Sequence, residues 1–363
     1  MVAKKTGLSR DFIIHPGETL KDIIDDREMS QKELAARCGV TEKHISTIVN
    51  CEKPISIAFA KKLEYALGID SSFWINLQAN YDKELLEYKE MNEISKEEID
   101  ILKQLKDIIK YLVKFNFLED KLSEVSKIVE LRKILRVSNL TNILNVSYNA
   151  AYRARTNCTV NPYVLFAWQR ICELRTEQIK ISQELDVAKL KNKVYEIKNI
   201  MNNSQNFQKD LEELFAECGI AFCVIRNFTG APVQGFIKQT ENKKIILCVT
   251  IRGAYADIFW FTVFHEIAHI INGDIKQKFI DFTAIDSEIE EKADNVASSM
   301  IIDKKDYKEF TSKGDFSVTS IINFSKKQNI PPYMLIGRLQ KEKYIPYTKL
   351  NNYKLKYEWK EKI

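Results

Sequence analysis

His265-Glu266-Ile267-Ala268-His269 sets two imidazoles four residues apart, with a carboxylate directly after the first. On a helix, positions i and i+4 share a face about one turn apart, so both rings can reach one ion. Neutral imidazoles at that spacing suit Zn2+, and Glu266 can reach a water on an open metal position as general base. The helical setting is legible: Ala254 to Ile271 contains no Pro or Gly, and Asn272-Gly273 supplies the stop. The bland alternative is a chance match made by two core histidines. The chain has only four histidines, His15, His44, His265 and His269, and that scarcity argues against coincidence. It also limits the third ligand. His15 and His44 lie in a separate N-terminal module, so a carboxylate or a cysteine must complete the site.

About twenty residues on, Glu288-Ile289-Glu290-Glu291-Lys292-Ala293-Asp294 opens a second expected helix, with Ile289, Ala293, Val296 and Met300 as its buried stripe. Glu290 or Glu291 would supply the third ligand, Glu290 being preferred. Asp294, one turn beyond Glu290, would take the other ring N–H of a histidine ligand. A solvated acidic surface is the competing reading of this run.

The elements that must position these groups follow from composition. Hydrophobic residues make up 45% of 363, enough for real cores, in about two or three domains. Eleven Gly and seven Pro are few for this length and favour helix. Seven cysteines without a CxxC pair read as reduced thiols, hence a cytoplasmic protein. No apolar segment follows MVAKKTGLSR and no apolar run approaches about 18 residues, so neither signal peptide nor membrane contact is expected. The net charge of +5 implies no particular partner, and Lys341–Lys362 carries +4 of it (seven Lys, three Glu). That tail, with Tyr344, Tyr347, Tyr353, Tyr357 and Trp359 interleaved, reads as a solvated packing helix, contact with nucleic acid or an acidic partner being the alternative.

Residues 1–85 read as a helical module of five helices. Leu20, Ile23 and Ile24 mark the first, and Ser30-Gln31-Lys32-Glu33 is a capping box opening the second. Gly39 permits the left-handed turn, and Thr41 caps a third helix with Ile45, Ile48 and Val49 inward. This is helix-turn-helix spacing. The third helix would then present Glu42, Lys43, His44, Ser46, Thr47 and Asn50 outward. Lys43 and His44 suit base edges or phosphates, while Gln31, Lys32, Thr41 and Lys53 suit the DNA backbone beside the groove. Against this, the first 80 residues have no net charge, with eleven basic and eleven acidic side chains. The module resembles HigA-type antitoxins of the XRE class, from His15-Pro16-Gly17-Glu18 through Ser30–Ala35 and Ile45–Asn50 to Phe73-Trp74-Ile75-Asn76-Leu77-Gln78. The resemblance implies a homodimeric repressor on a palindromic operator.

Residues 86–200 are rich in Lys, Glu and Ile at helical period and form a helical middle region. Tyr148, Tyr152, Tyr163, Phe166 and Trp168 suggest a small packed unit there, with Arg153 and Arg155 on its surface. Residues 201–363 change character. Ile220–Ile225 and Lys244–Ile251 read as strands, with a shorter one at Gly235 and a turn at Glu241-Asn242-Lys243. The fold class expected is mainly α with a small antiparallel sheet (α+β), whose edge strand would pair with a peptide.

This last part resembles the ImmA/IrrE metallopeptidases, through Gly230-Ala231-Pro232, Arg252 to His269, Asn272-Gly273-Asp274, Glu290-Glu291-Lys292-Ala293-Asp294 and Ile336–Gln340. The resemblance implies a gluzincin-like site in which two His and one Glu hold Zn2+, which falls on His265, His269 and Glu290. Ala268 stands where Gly is common in that family, and Lys292 where a second Glu is common. The combined reading is a cytoplasmic regulator that binds operator DNA and carries a zinc endopeptidase. Its substrate would be a repressor, a toxin or an antitoxin. Tyr255 or Arg252 is the expected oxyanion partner. Two alternatives stand beside it: an antitoxin-like repressor with a structural zinc, and a peptidase whose helix-turn-helix binds only protein.

Overall fold

The computed structural model describes residues 10–148, 160–181, 183–240, 244–276 and 287–359. Tyr152, Arg153, Arg155 and the turn at 241–243 lie outside the described residues, as do the tail's last four. Two compact units emerge, Met1–Lys96 and Glu97–Ile363.

The first unit contains α1 (Pro16–Asp26), α2 (Gln31–Cys38), α3 (Glu42–Val49), α4 (Ile57–Leu67) and α5 (Ser71–Asn92). Local chemistry sets most of their ends. Ser30, Thr41 and Ser56 accept N-cap bonds at α2, α3 and α4, and Gly39 (φ 59°) and Gly68 (φ 69°) take the left-handed conformation that stops α2 and α4. The reciprocal capping box, with both bonds present, is at His15 and Glu18. At Ser30 the hydroxyl accepts from Glu33 N, while the Glu33 side chain turns to Arg37 (2.6 Å). Leu20, Leu34, Ile45, Ile48, Leu63 and Trp74 are buried together, which fixes the crossing of α2 and α3. From α5, Gln78 reaches back to accept the Ile55 amide at 2.9 Å.

The second unit opens with α6 (Lys96–Gln104), α7 (Lys106–Lys114), α8 (Glu124–Leu135), α9 (Ile143–Tyr148), α10 (Pro162–Glu177), α11 (Val187–Asn192), α12 (Val194–Asn203) and α13 (Phe207–Ala216). Then come β1 (Ile220–Val224), β2 (Gly235–Gln239), β3 (Ile245–Val249), α14 (Ala256–Asn272), α15 (Ser287–Ile301), α16 (Lys304–Lys313), α17 (Val318–Lys327) and α18 (Pro332–Lys341). Strand order is β1-β3-β2. β2 runs antiparallel to β3, but β1 pairs parallel to it, Ile220 opposite Ile245. The sheet is therefore mixed, and the expectation of an antiparallel sheet is corrected. Every residue of β1 is buried, without the alternation of a half-solvated antiparallel strand. One sheet face packs its Phe222, Leu247 and Ile237 into the core with α13 and α14, and α10 covers the other, with Trp168 edge-on to Phe236.

Helix α14 is buried on all sides from Phe259 to Ile270, apart from half-buried Phe261, as expected of a helix apolar all round. A second correction concerns the tail. Among the described residues beyond Lys341 the one helical piece is the short 3-10 turn Asn351–Tyr353. Residues 354–357 instead strap the start of α14 in extended form. Leu355 O accepts from Ala256 N (2.9 Å), and the Tyr357 hydroxyl accepts from Trp260 Nε1 (2.8 Å). Lys354 is buried on Asp257 at 2.7 Å, so it belongs to the core, not to a solvated face. Among the described residues no helix is long and apolar enough to cross a membrane, and the described cysteines are free thiols.

Candidate metal centre

Helix α14 carries His265 and His269 on one face, and α15 lies across it. From α15 the stripe Glu290, Ala293, Asp294, Ala297 and Ile301 faces α14, with Ala293 and Ala297 fully buried and so permitting close approach. Val296 and Met300, expected inside that stripe, flank it half-buried, and Glu291 is exposed. Glu290 is thus the carboxylate brought to the histidines.

The donor atoms of His265, His269 and Glu290 all lie within 4.8 Å of one another. The two Nε2 atoms face each other at 3.0 Å, and Glu290 places Oε2 at 3.3 Å from His265 Nε2 and Oε1 at 3.6 Å from His269 Nε2. Each ring is held from behind. His265 Nδ1 donates to Asp294 Oδ1 at 2.9 Å, and His269 Nδ1 donates to Asp274 Oδ2 at 3.1 Å. A carboxylate only accepts, so both Nδ1 atoms carry the proton and both Nε2 lone pairs converge. Lone pairs 3.0 Å apart repel unless a cation or a proton lies between them. Glu290 Oε1 is buried and makes no hydrogen bond, a further acceptor turned into the same space. Two imidazole nitrogens and a carboxylate with an unpartnered buried oxygen are a donor set that fits Zn2+, and His265, His269 and Glu290 would hold it.

The surrounding carboxylates favour positive charge at this point, whether as a proton or as a cation. Burial opposes charge on the His265 ring, yet hydrogen bonds to Asp294 and Glu290 and the nearby Glu266 charge outweigh it and push its pKa up to about 10. Burial raises the Glu290 carboxyl, but His265 and His269 bring it below its ordinary value. The same competition lowers Asp294, through His265 and then Lys341, whose Nζ is 3.6 Å away.

Glu266, 4% exposed, points to the start of β2. Together with His265 and Glu290 it lines a cavity of about 840 Å³ whose far wall is α18, with Met334, Arg338 and Lys341. The expected oxyanion groups are elsewhere. Tyr255 caps α14 ten residues before His265, about 15 Å along the axis, beneath Lys354 and Lys356. Arg252 donates to Pro232 O at 2.7 Å. Neither lines the cavity. Sequence reasoning assigned no role to Asp274 or Lys341. The signal for Asp274 was its place just past the Gly273 cap (φ 81°), where a reversing chain returns toward the last turn of the helix.

In the first unit, α3 exposes Glu42, Lys43 and Asn50, with Ser46 half-buried between them. His44 is half-buried, its ring edge-on to Phe59 at 5.0 Å, and burial followed by Lys53 and Lys62 lowers its pKa. Thr47 Oγ1 donates to His44 O at 3.0 Å, and Thr41 Oγ1 caps α3 by accepting from His44 N. Lys32 and Lys53 are exposed and Gln31 half-buried. A family model described as helix-turn-helix matches residues 20–74. The N-terminal unit is a helix-turn-helix domain of the XRE class.

The helix-turn-helix domain also carries the likeness to known proteins. Over 69 residues the chain is 38% identical to virulence-associated protein A' of Dichelobacter nodosus, covering 19% of this chain and 60% of that one. The chain thus spans three-fifths of the length of this curated relative. An addiction module antidote protein of a HigA family from Coxiella burnetii is 29% identical, covering 23% of this chain and 95% of that chain (TM-score 0.20). A Pseudomonas aeruginosa protein in complex with its operator DNA is 30% identical, covering 20% and 80% (TM-score 0.20).

Proposed function

We propose that this chain is a DNA-binding regulator of antitoxin type whose second unit is a zinc-dependent endopeptidase acting on one regulatory partner protein. The observation that carries the enzymatic reading is the convergence of His265 Nε2, His269 Nε2 and Glu290 on one point, with Glu266 beside it on the same cavity. Zn2+ bound there would polarise a peptide carbonyl and acidify a water. Asp294 and Asp274 hold the two rings so that both Nε2 atoms keep their lone pairs for the ion. The Glu266 carboxylate takes the proton from the attacking water and hands it to the leaving amide nitrogen. The cavity wall from α18 excludes bulk water on one side and supplies cationic groups at Arg338 and Lys341.

The first unit would bind operator DNA as a homodimer, α3 entering the major groove with Lys43, Ser46 and Asn50 foremost. Lys32 and Lys53 would contact phosphates. His44 and Thr47 are held by bonds and packing within the unit, which leaves them to support the helix more than to read bases.

The test is a comparison of wild-type and Glu266→Gln cells by quantitative proteomics, with zinc content measured on both purified proteins. One protein stabilised in Glu266→Gln cells, with zinc retained, is the expected result. Unaltered protein levels and unaltered repression would favour the second reading, a repressor whose zinc is structural. That reading has no use for the buried Glu266 carboxylate beside the ligands.

A further inference from the structure

We propose that Gly235 is a positioning residue for Glu266. The missing side chain at the first position of β2 leaves the space in which the Glu266 carboxylate lies, on the edge strand of the sheet. What the carboxylate does there rests on the peptidase reading above; where it lies does not.

Most glycines of this chain serve the backbone. Gly39, Gly68, Gly273 and Gly314 end helices at positive φ, and a Cβ added to any of them would meet nothing within 4 Å. Gly235 is the opposite case. Its φ is not in the left-handed region, so no backbone demand explains it. Within a strand, paired to Val249, glycine weakens pairing and packs no side chain, unless some other group must approach closely. That group is Glu266. A Cβ on Gly235 would be 1.9 Å from Glu266 Oε1, 2.5 Å from Cδ and 2.8 Å from Cγ, and no other residue is nearer. All three distances are inside van der Waals contact, so a single methyl group evicts the carboxylate.

Eviction is selective. The metal-facing donors come from α14 and α15, and none of their atoms is among the nearest neighbours of that Cβ. Glu266 is buried on its other sides, so the displaced carboxylate must swing toward the cavity it lines with His265 and Glu290. Gly235→Ala therefore separates holding the ion from using it. Misplacing a reacting group by about 1 Å costs on the order of 10²-fold in rate.

The experiment uses full-length, zinc-loaded protein in a double-mutant cycle of Gly235→Ala and Glu266→Ala, followed by thermal unfolding. Zinc affinity is measured in parallel by competition with a chromophoric chelator. Gly235→Ala should lower Tm by roughly 3 °C or more in the wild-type background and by about nothing when Glu266 is already Ala. Zinc affinity of Gly235→Ala should stay within about twofold of wild type, since no ligand moves. Additive Tm shifts would overturn the proposal, and so would zinc affinity falling tenfold or more with Gly235→Ala. The protein stabilised in Glu266→Gln cells should also accumulate in Gly235→Ala cells, since its cleavage should slow about 10²-fold. If no protein accumulates in Glu266→Gln cells, that counts against the peptidase reading, while the Tm coupling still decides the placement of Glu266.

Discussion

Removing the carboxylate behind His269 should weaken zinc binding without unfolding the second unit, and its size can be worked from the geometry. Asp274 Oδ2 accepts from His269 Nδ1 at 3.1 Å with its side chain 16% exposed. Carboxylates behind histidine ligands are worth about 10- to 100-fold in metal affinity, or roughly 1.4–2.7 kcal/mol. Asp294, behind His265 at 2.9 Å, is 45% exposed and shared with Lys341, so solvent screens more of its effect. Asp274→Ala should therefore cost at least as much as Asp294→Ala, despite the longer bond. Asp274→Asn should fall between wild type and Ala, because its amide oxygen still accepts the Nδ1–H and fixes the tautomer while the charge is lost. The assay is Zn2+ competition with a chromophoric chelator at fixed pH, with Glu290→Ala as the variant that loses a ligand outright. Asp274→Ala binding zinc as tightly as wild type, while Glu290→Ala does not, would refute the role given to Asp274.

The remaining predictions concern folding and DNA. Gly17→Ala would place a Cβ 1.9 Å from Ile48 O, where backbone cannot yield, and should destabilise the helix-turn-helix domain by about 1–3 kcal/mol in urea unfolding; a neutral result would mean α1 and α3 separate more easily than their packing implies. Burial lowers the His15 pKa against the pull of Glu18 and Asp82, so its neutral form contributes stability in full above its ordinary 6.5, and that stability is lost as pH falls below this value. His15→Asn, which keeps a capping acceptor, should shrink the slope of Tm against pH below 6.5, leaving the part due to His44; an unchanged slope would exclude His15. Lys43→Ala should weaken promoter binding and reduce the slope of log K against log salt by about 0.9, measured by fluorescence anisotropy; no change in slope would remove Lys43 from the phosphate contacts. Arg132→Ala leaves Glu98, fully buried and held at 2.9 and 2.5 Å, without its cation, and should cost about 3–5 kcal/mol in unfolding of the second unit.

What the sequence disclosed and what it withheld divide along a physical line. Features settled by local bonding were legible: caps at Ser30 and Thr41, stops at Gly39 and Gly273, and the mostly apolar α14 that delivers two imidazoles to one face. Features settled by distant chain segments were not. The run Ile-Ala-Phe-Cys-Val of β1 has no alternation to declare its direction, and only the helices on both its faces make the parallel pairing intelligible. Lys354 reads as solvated charge until the tail folds back and pairs it with Asp257. Asp274 reads as a turn residue until the reversal at Gly273 carries it to His269. The slot at Gly235 is invisible in sequence, since nothing along β2 says which side chain will come down upon it.

The charges around α14 make the strongest link between fold and chemistry. Glu266, Asp274, Glu290 and Asp294 bring four carboxylates to two imidazoles, and Lys341 offsets one of them at 3.6 Å. So much negative charge in a mostly buried pocket is costly unless positive charge enters with it. The fold offers two ways to supply it. One is a proton on His265, which is why that ring is driven so far above its ordinary value. The other is a dication at the meeting point of the two Nε2 atoms and Glu290, which satisfies the orphaned Oε1 that a proton on His265 leaves untouched. A proton neutralises one charge and a dication two, so the deeper the deficit of positive charge, the more the metal gains over the proton. Each carboxylate removed should therefore erode zinc affinity, whether or not it touches the ion. Glu266→Gln, which keeps shape and removes only charge, measures that contribution separately from coordination.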